Sequence, residues 1–259
     1  MRCPNCSADL TGEYCARCGQ QRIDPEELSV RHFLGEAADA VTDFRSQFKT
    51  VRTLGRLQKP GALTNEFMAG RRERYLSPLK VYLVCAALFF FSAPAAGFTL
   101  ASMADADQSG LLRQLTASRA AERRLDPAHF NARFDVRVQS VYTVTLGAAA
   151  LVFALVLQGL FRRRRQPYGA HLVFALHYVS FMFLATIAAG LSRRAHVPID
   201  AAAGLGYLMI AAYLVVALWR VYPDSTAALA WRAAVLLLLT TGINSFASYA
   251  AIRMTLALA

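Results

Sequence analysis

The chain has 259 residues, 56% hydrophobic and only 17% charged, with a formal charge of +11. Soluble globular domains carry roughly a quarter of charged residues, so this balance excludes an ordinary soluble domain and favours a membrane class. Arg clusters beside apolar runs, which leaves nucleic acid and anionic lipid as the electrostatic partners to weigh.

The chain opens with "CPNCSADLTGEYCARC", in which Cys3-x-x-Cys6 and Cys15-x-x-Cys18 form two knuckles separated by eight residues. Four thiolates at this spacing suit a tetrahedral Zn²⁺, with iron the alternative for the same ligands. A redox dithiol would want a single CxxC beside a strand-helix unit, and paired disulfides would want an oxidising compartment. Gly19 follows the second knuckle where the backbone must curl toward sulfur, while the first has Ser7 at that position, a small departure. No apolar h-region of a secretory signal precedes the thiols, so the head is expected in the reducing cytosol. A closed four-Cys site leaves no position for a water or substrate, which makes it structural. Zinc then supplies the folding energy of a ribbon too small to build a core. No internal repeat is apparent.

Val30, Leu34, Ala37, Val41, Phe44, Phe48 and Val51 follow with alternating spacings of four and three. The spacing predicts one amphipathic helix over 29–57, lying on headgroups or on the membrane domain with Arg45, Lys49, Arg52 and Arg56 on its polar side. "KPGA" breaks it, and "LTNEFMAGRRERY" reads as a short helix capped by Thr64 and stopped at Gly70. Ser77 and Pro78 then give the cap and first position of a new helix.

Five apolar stretches are long enough to cross a hydrocarbon core, at about 79–100, 139–161, 169–191, 203–220 and 232–253. The fourth, with its glycines and modest length, also suits a re-entrant or buried helix. The fold class is therefore an all-α polytopic membrane protein, organised as a zinc ribbon (1–22), a cytoplasmic interfacial helical segment (23–76) and a helical membrane domain (77–259). Arg71, Arg72, Arg74 and Lys80 before the first span, Arg162 to Arg165 after the second, and Arg220 and Arg232 around the loop after the fourth place these loops inside. With five spans the N-terminus is cytoplasmic and the C-terminus outside.

The stretches "YCARCGQQR" and "LQKPGALTNEFMAGRRERYLSPLKVYL", running straight into a membrane helix, resemble the bacterial membrane proteins of the domain of unknown function 3667 family. The likeness covers residues 1 to about 95. It implies a cytoplasmic zinc ribbon on an inner-membrane helical domain and implies no activity. It adds Cys3, Cys6, Cys15 and Cys18 as metal ligands and Gly70 to Pro78 as a signature of unknown role. Read physically, Arg71, Arg72, Arg74 and Lys80 sit at headgroup depth, where they anchor the chain and set its topology or form an anionic-lipid site.

Polar residues inside the spans are few. His177 and Asn244 lie about 12 and 17 Å from their cytoplasmic ends at 1.5 Å per residue, on helices running the same way, so they are expected to pair as an interhelical hydrogen bond. No span carries Asp or Glu. There is no HExxH, GxSxG or GxxxxGK[ST] pattern, and no catalytic constellation of other kinds, so no enzyme activity is expected. The sequence thus predicts a bacterial inner-membrane protein whose ribbon and amphipathic helix form a protein-interaction or regulatory module. A protein is the expected partner at the ribbon and the anionic bilayer the partner of the basic stretches; three Arg and few aromatics in the head disfavour nucleic acid. The rival reading is a small-solute or ion permease with a path near His177 and Asn244. An enzyme acting on lipid, lacking a nucleophile beside a base, ranks third.

Overall fold

The computed structural model describes residues 1–22, 47–96, 110–122, 124, 126–192 and 195–258. Among them the head has only two isolated β-bridges, and the rest is helical. The helices are α1 (Gln47–Leu57), α2 (Ala62–Met68), α3 (Pro78–Ser92), α4 (Leu111–Glu122), α5 (Pro127–Leu160), α6 (Tyr168–Ser192), α7 (Ile199–Val221) and α8 (Thr226–Leu258).

The axis of the bundle is α6, which packs against α3, α5 and α7. Every residue from Gly169 to Phe183 is buried. A helix apolar on all sides needs neighbours on all sides, and its rings supply the core: Phe181 stacks on Tyr213 of α7 at 3.8 Å, Phe153 of α5 on Tyr178 at 5.2 Å, and Phe183 meets Phe89 of α3 at 5.3 Å. The outer helices are inverted relative to a soluble bundle. Val144, Leu151 and Leu155 of α5, Leu208 and Val215 of α7, and Leu238 and Phe246 of α8 are all exposed. Four helices, α5 to α8, are long and apolar enough to cross a membrane. A bilayer is the medium in which those outward Leu, Val and Phe side chains cost nothing.

The first expected span differs. The described helix α3 has 15 residues, about 22 Å of rise against a hydrocarbon core of about 30 Å. It ends at Ser92, two residues before Pro94, which has no N–H to continue the ladder. The remainder of that expected span, from residue 97, lies outside the described residues. The other spans are longer than their apolar windows. At about 51 Å, α5 exceeds the bilayer core and begins twelve residues before the predicted 139. The extension is amphipathic rather than apolar: Phe130, Phe134 and Val138 form a second cluster with Ala120 of α4 and Ala251 of α8. The glycine-containing fourth segment is one continuous helix of 23 residues, neither broken nor re-entrant.

The predicted helix over 29–57 falls mostly on residues 23–46, outside those described. Its described end, α1, does not bury the expected stripe. Phe48 is 89% and Val51 72% exposed, while Thr53 and Leu57 are wholly buried. The face toward the bundle is thus the one carrying Thr53, Leu54 and Leu57.

One end of the bundle gathers the basic loops and the segment leading from α1 to α3. Arg164 donates to the carbonyl of Pro223, and Arg220 donates to that of Pro60 at 3.0 Å. Arg232 pairs with Asp224 and lies over Phe161. The start of α5 and its companion α4 lie at the other end, as does the end of α8.

Candidate metal centre and its docking strap

The head is built twice. Cys3 N–H donates to Ala8 O and Ser7 N–H to Cys3 O, both at 2.8 Å; twelve positions on, Cys15 N–H donates to Gln20 O at 2.9 Å and Gly19 N–H to Cys15 O at 2.8 Å. Antiparallel bridges between Arg2 and Asp9 and between Tyr14 and Gln21 close the two turns. This repeat is hidden in the sequence because only the cysteines match between the halves; the rest of its regularity is in the backbone. At the matching positions Ser7 has φ +62° and Gly19 φ +75°, so the serine adopts the left-handed conformation that glycine takes without strain.

The four Sγ atoms all lie within 4.8 Å of one another, with Cys3–Cys18 and Cys6–Cys15 each at 3.6 Å. None is bonded in a disulfide. A tetrahedron of sulfurs about 2.3 Å from a central ion has edges of about 3.8 Å, so the donor set fits one metal ion, and Cys3, Cys6, Cys15 and Cys18 would hold it. Hydrogen bonds from the Asn5 side chain and the Gln20 backbone hold the Cys18 thiol down to about 6, which favours a thiolate. The Ala8 backbone bond lowers Cys6, but burial and the three neighbouring sulfurs outweigh it and push that thiol up to about 12. Sulfurs packed this closely resist joint ionisation until a cation stands among them.

The residues around the thiols dock the head on the rest of the chain. Gln20, buried beside the second knuckle, accepts the backbone N–H groups of Glu73 at 2.9 Å and Arg72 at 3.2 Å through Oε1. Arg74 donates to the carbonyl of Asn5, inside the first knuckle, at 3.1 Å. The stretch received in this way is the basic signature itself. Gly70, at φ +77°, ends α2, and Arg71 N–H bonds back to Glu66 O at 3.0 Å. The strap from 70 to 76 then runs to Ser77 and Pro78, the N-cap and first residue of α3; the Ser77 hydroxyl makes no capping bond.

Each basic residue of the strap contacts protein, Arg74 while remaining exposed. Arg71 pairs with Glu66 at 2.5 Å, and Arg56 reaches the other Glu66 oxygen at 2.7 Å. The Arg71 hydrogen bond, with Arg56 second, holds the Glu66 carboxyl below the ordinary glutamate range. Arg72 lies over the Phe67 ring at 4.3 Å. Lys49 of α1 pairs with Glu73, and Thr53 Oγ1 accepts the N–H of Leu76 at 3.0 Å. Lys80 is half-buried on the first turn of α3. The structure therefore brings Arg71, Arg72 and Arg74 onto α2 and the head, and does not converge them with Lys80 on an open anion site.

Thr64 was expected to cap α2. Instead the helix starts at Ala62 after Gly61, whose φ is +71°. Thr64 is buried, with Oγ1 3.0 Å from Nδ1 of His177. His177 stands nine residues into α6, about 14 Å from its start. The short helix is a wedge between α6 and α7: Asn65 donates to Arg220 O, and Gly61 packs so closely on Ala217 and Val221 that an added Cβ would lie 3.0–3.2 Å from them. Sequence reasoning missed this contact because a seven-residue helix gives no hydropathy signal; "PG" before "ALT" was its only trace.

The expected contact between His177 and Asn244 is absent. His177 is taken by Thr64, with Nε2 buried and unpartnered among the described residues, and Asn244 Oδ1 accepts the Tyr142 hydroxyl at 2.6 Å. Similar depth placed them together in the sequence reading, but depth says nothing about which way each helix face is turned. A search of the curated proteins and a search of the solved structures each return no match. A family described as "Protein of unknown function (DUF3667)" matches residues 48–90, a span that takes in nearly all of α1, the wedge, the strap and most of α3, and over that span the chain is similar to the family.

Proposed function

We propose that the head is a zinc-held interaction module on the cytoplasmic face of a multi-pass bacterial inner-membrane protein, and that its partner is another protein. The observation that carries this reading is the docking itself. Gln20 and Asn5 fix one side of the head to the membrane domain, while Tyr14, 60% exposed, and Met1 remain outward. A rigid platform with an exposed aromatic suits protein recognition. Four thiolates close the coordination, so zinc here supports folding and no catalytic step is assigned to it; iron is the alternative occupant. Arg162 to Arg165, Arg220 and Arg232 share the head's end of the bundle, which supports a cytoplasmic N-terminus, with the C-terminus outside.

Co-purification from native membranes tests the module, comparing wild type with Cys15→Ser and Tyr14→Ala, with elemental analysis of each sample. The expected result is a protein that accompanies wild type and is lost from both variants, with zinc retained by Tyr14→Ala. An unchanged set of companions in Cys15→Ser refutes the interaction role. Solute uptake that disappears in His177→Ala while the folded protein persists would favour the permease reading instead.

A further inference from the structure

The wedge α2 is joined to the head by contacts that run through the strap in an unbroken series. Gln20 holds the N–H groups of Arg72 and Glu73, and Asn5 O receives Arg74. The two arginines at the start of the strap lean on α2, Arg71 through Glu66 and Arg72 over Phe67. Thr64, on the same two turns of helix, reaches the buried imidazole of His177 in the centre of the membrane domain. Both Gln20 and Asn5 sit within or directly after a knuckle, so the metal that fixes the knuckles also fixes the groups that grip the strap.

On this basis we propose that the metal-bound head is an intramolecular clamp: it keeps the strap and α2 seated between α6 and α7, and loss of the metal is relayed into the membrane domain. The inference rests on the reading of the head as a metal site, and makes that site regulatory toward its own chain. On the bundle side α2 is held by the buried Thr64–His177 contact, by the exposed contacts of Asn65 to Arg220 O and Arg220 to Pro60 O, and by Leu63 and Phe67. It is only seven residues long. A short element of this kind opens locally at a fraction of the cost of global unfolding, so a grip on the adjoining strap changes its population. The series also explains why a basic signature carries a glutamate. Glu73 offers its N–H to the head and its carboxylate to Lys49, so the strap is pinned from the head and from α1.

Amide hydrogen exchange of the full-length protein in lipid nanodiscs tests the clamp, with zinc content measured in every sample. Wild type is compared with and without EDTA, then after Zn²⁺ is restored, and with Gln20→Ala, which keeps all four thiols. Two backbone hydrogen bonds toward the lower end of ordinary net strength correspond to roughly tenfold in local opening. Gln20→Ala is therefore expected to keep its zinc while peptides over 70–76 exchange about tenfold faster. EDTA is expected to reproduce that rate in wild type, to speed peptides over 62–69 several-fold, and to leave the centre of α6 unchanged; added Zn²⁺ restores both. If EDTA strips the metal and opens residues 1–22 while 62–76 keep their protection, the clamp is overturned and the metal site stands. If the protein holds no metal and takes up none, the site itself fails and the clamp with it. Unchanged 70–76 exchange in zinc-loaded Gln20→Ala also overturns the proposal.

Discussion

Replacing Thr64 by Val removes one hydroxyl and keeps the side-chain volume, so the change isolates the Thr64–His177 contact. His177 is 2% exposed and its Nε2 already has no partner among the described residues. Without Thr64 the imidazole has none at either nitrogen. A neutral hydrogen bond contributes about 0.5–1.5 kcal/mol net, and a buried polar group left unmade costs about 1–3 kcal/mol. Interhelical bonds in membranes average about 0.6 kcal/mol, because the unfolded chain in the bilayer finds other partners. Together these place Thr64→Val at about 1–2 kcal/mol. His177→Leu deletes both buried nitrogens, and the Thr64 hydroxyl can turn to a carbonyl of its own preceding turn, so this variant should cost less, about 1 kcal/mol or under. The double variant should then resemble His177→Leu alone, with a coupling of about 1 kcal/mol. Equilibrium unfolding in mixed micelles of rising SDS fraction, followed by the fluorescence of Trp219 and Trp231, gives the four values. Costs that add within about 0.3–0.5 kcal/mol would show that the two side chains do not meet and that α2 is not wedged against α6.

In the same assay His177→Leu and Asn244→Ala should add, since Asn244 is bound to Tyr142 and shares no partner with His177. Ser7→Gly should slow loss of the metal to a competing chelator and Gly19→Ala should speed it, by up to about tenfold each, because a non-glycine residue in the left-handed region costs about 1 kcal/mol and nothing lies within 4 Å of a Cβ at Gly19; equal rates in both variants would remove backbone strain as the cause. Gly147→Ala should cost about 1–3 kcal/mol in the SDS titration, since its Cβ would stand 2.5 Å from the Tyr82 hydroxyl and displace the bond from that hydroxyl to Thr143 O; adding Tyr82→Phe should recover part of the loss. The depressed carboxyl of Glu66 contributes stability that is fully present above the ordinary value of 4.5 and is lost as pH falls through its lower folded value. Protection of the 62–76 amides should therefore decline in acid below about pH 4.5, and Glu66→Gln should lower it at neutral pH and flatten that decline.

Much of the architecture is written in the sequence as composition. The long runs of Leu, Val and Ala that become α5 to α8 read as spans because lipid-facing and core-facing positions are both apolar, and hydropathy needs no knowledge of which is which. The same indifference hides rotation. His177 and Asn244 lie within about one helical turn of each other in depth, and the turned faces of α6 and α8 give them different partners. Helix ends were misjudged where apolar content and helix part company: α5 continues through His129 and Arg133 because Phe130, Phe134 and Val138 still have α4 and α8 to pack on, whereas α3 stops before Pro94 although the sequence beyond stays apolar. The four thiols were legible as a set because metal geometry constrains their spacing locally. Their docking was not, because it runs through backbone N–H groups of 72 and 73, which no side-chain pattern announces.

The basic signature shows what position alone leaves open. Three arginines ahead of a membrane helix satisfy every expectation for headgroup anchoring, yet Arg71 and Arg72 are spent on Glu66 and Phe67, and Arg74 on the head. What separates the two roles is the company of the charges. Arg71 has the acid Glu66 five residues before it, Arg72 has the ring of Phe67, Arg74 has a carbonyl of the head, and Glu73 pairs with Lys49 of α1. Arg162 to Arg165 make the opposite case. That turn carries no acid, all four side chains are exposed, and the Arg164 side chain donates to a carbonyl across the loop, that of Pro223. The four exposed charges of this tight turn have no acid of their own segment, whereas Arg71 and Lys49 find Glu66 and Glu73. By that criterion the strap belongs to the folding of the head onto the bundle, and the 162–165 turn does not.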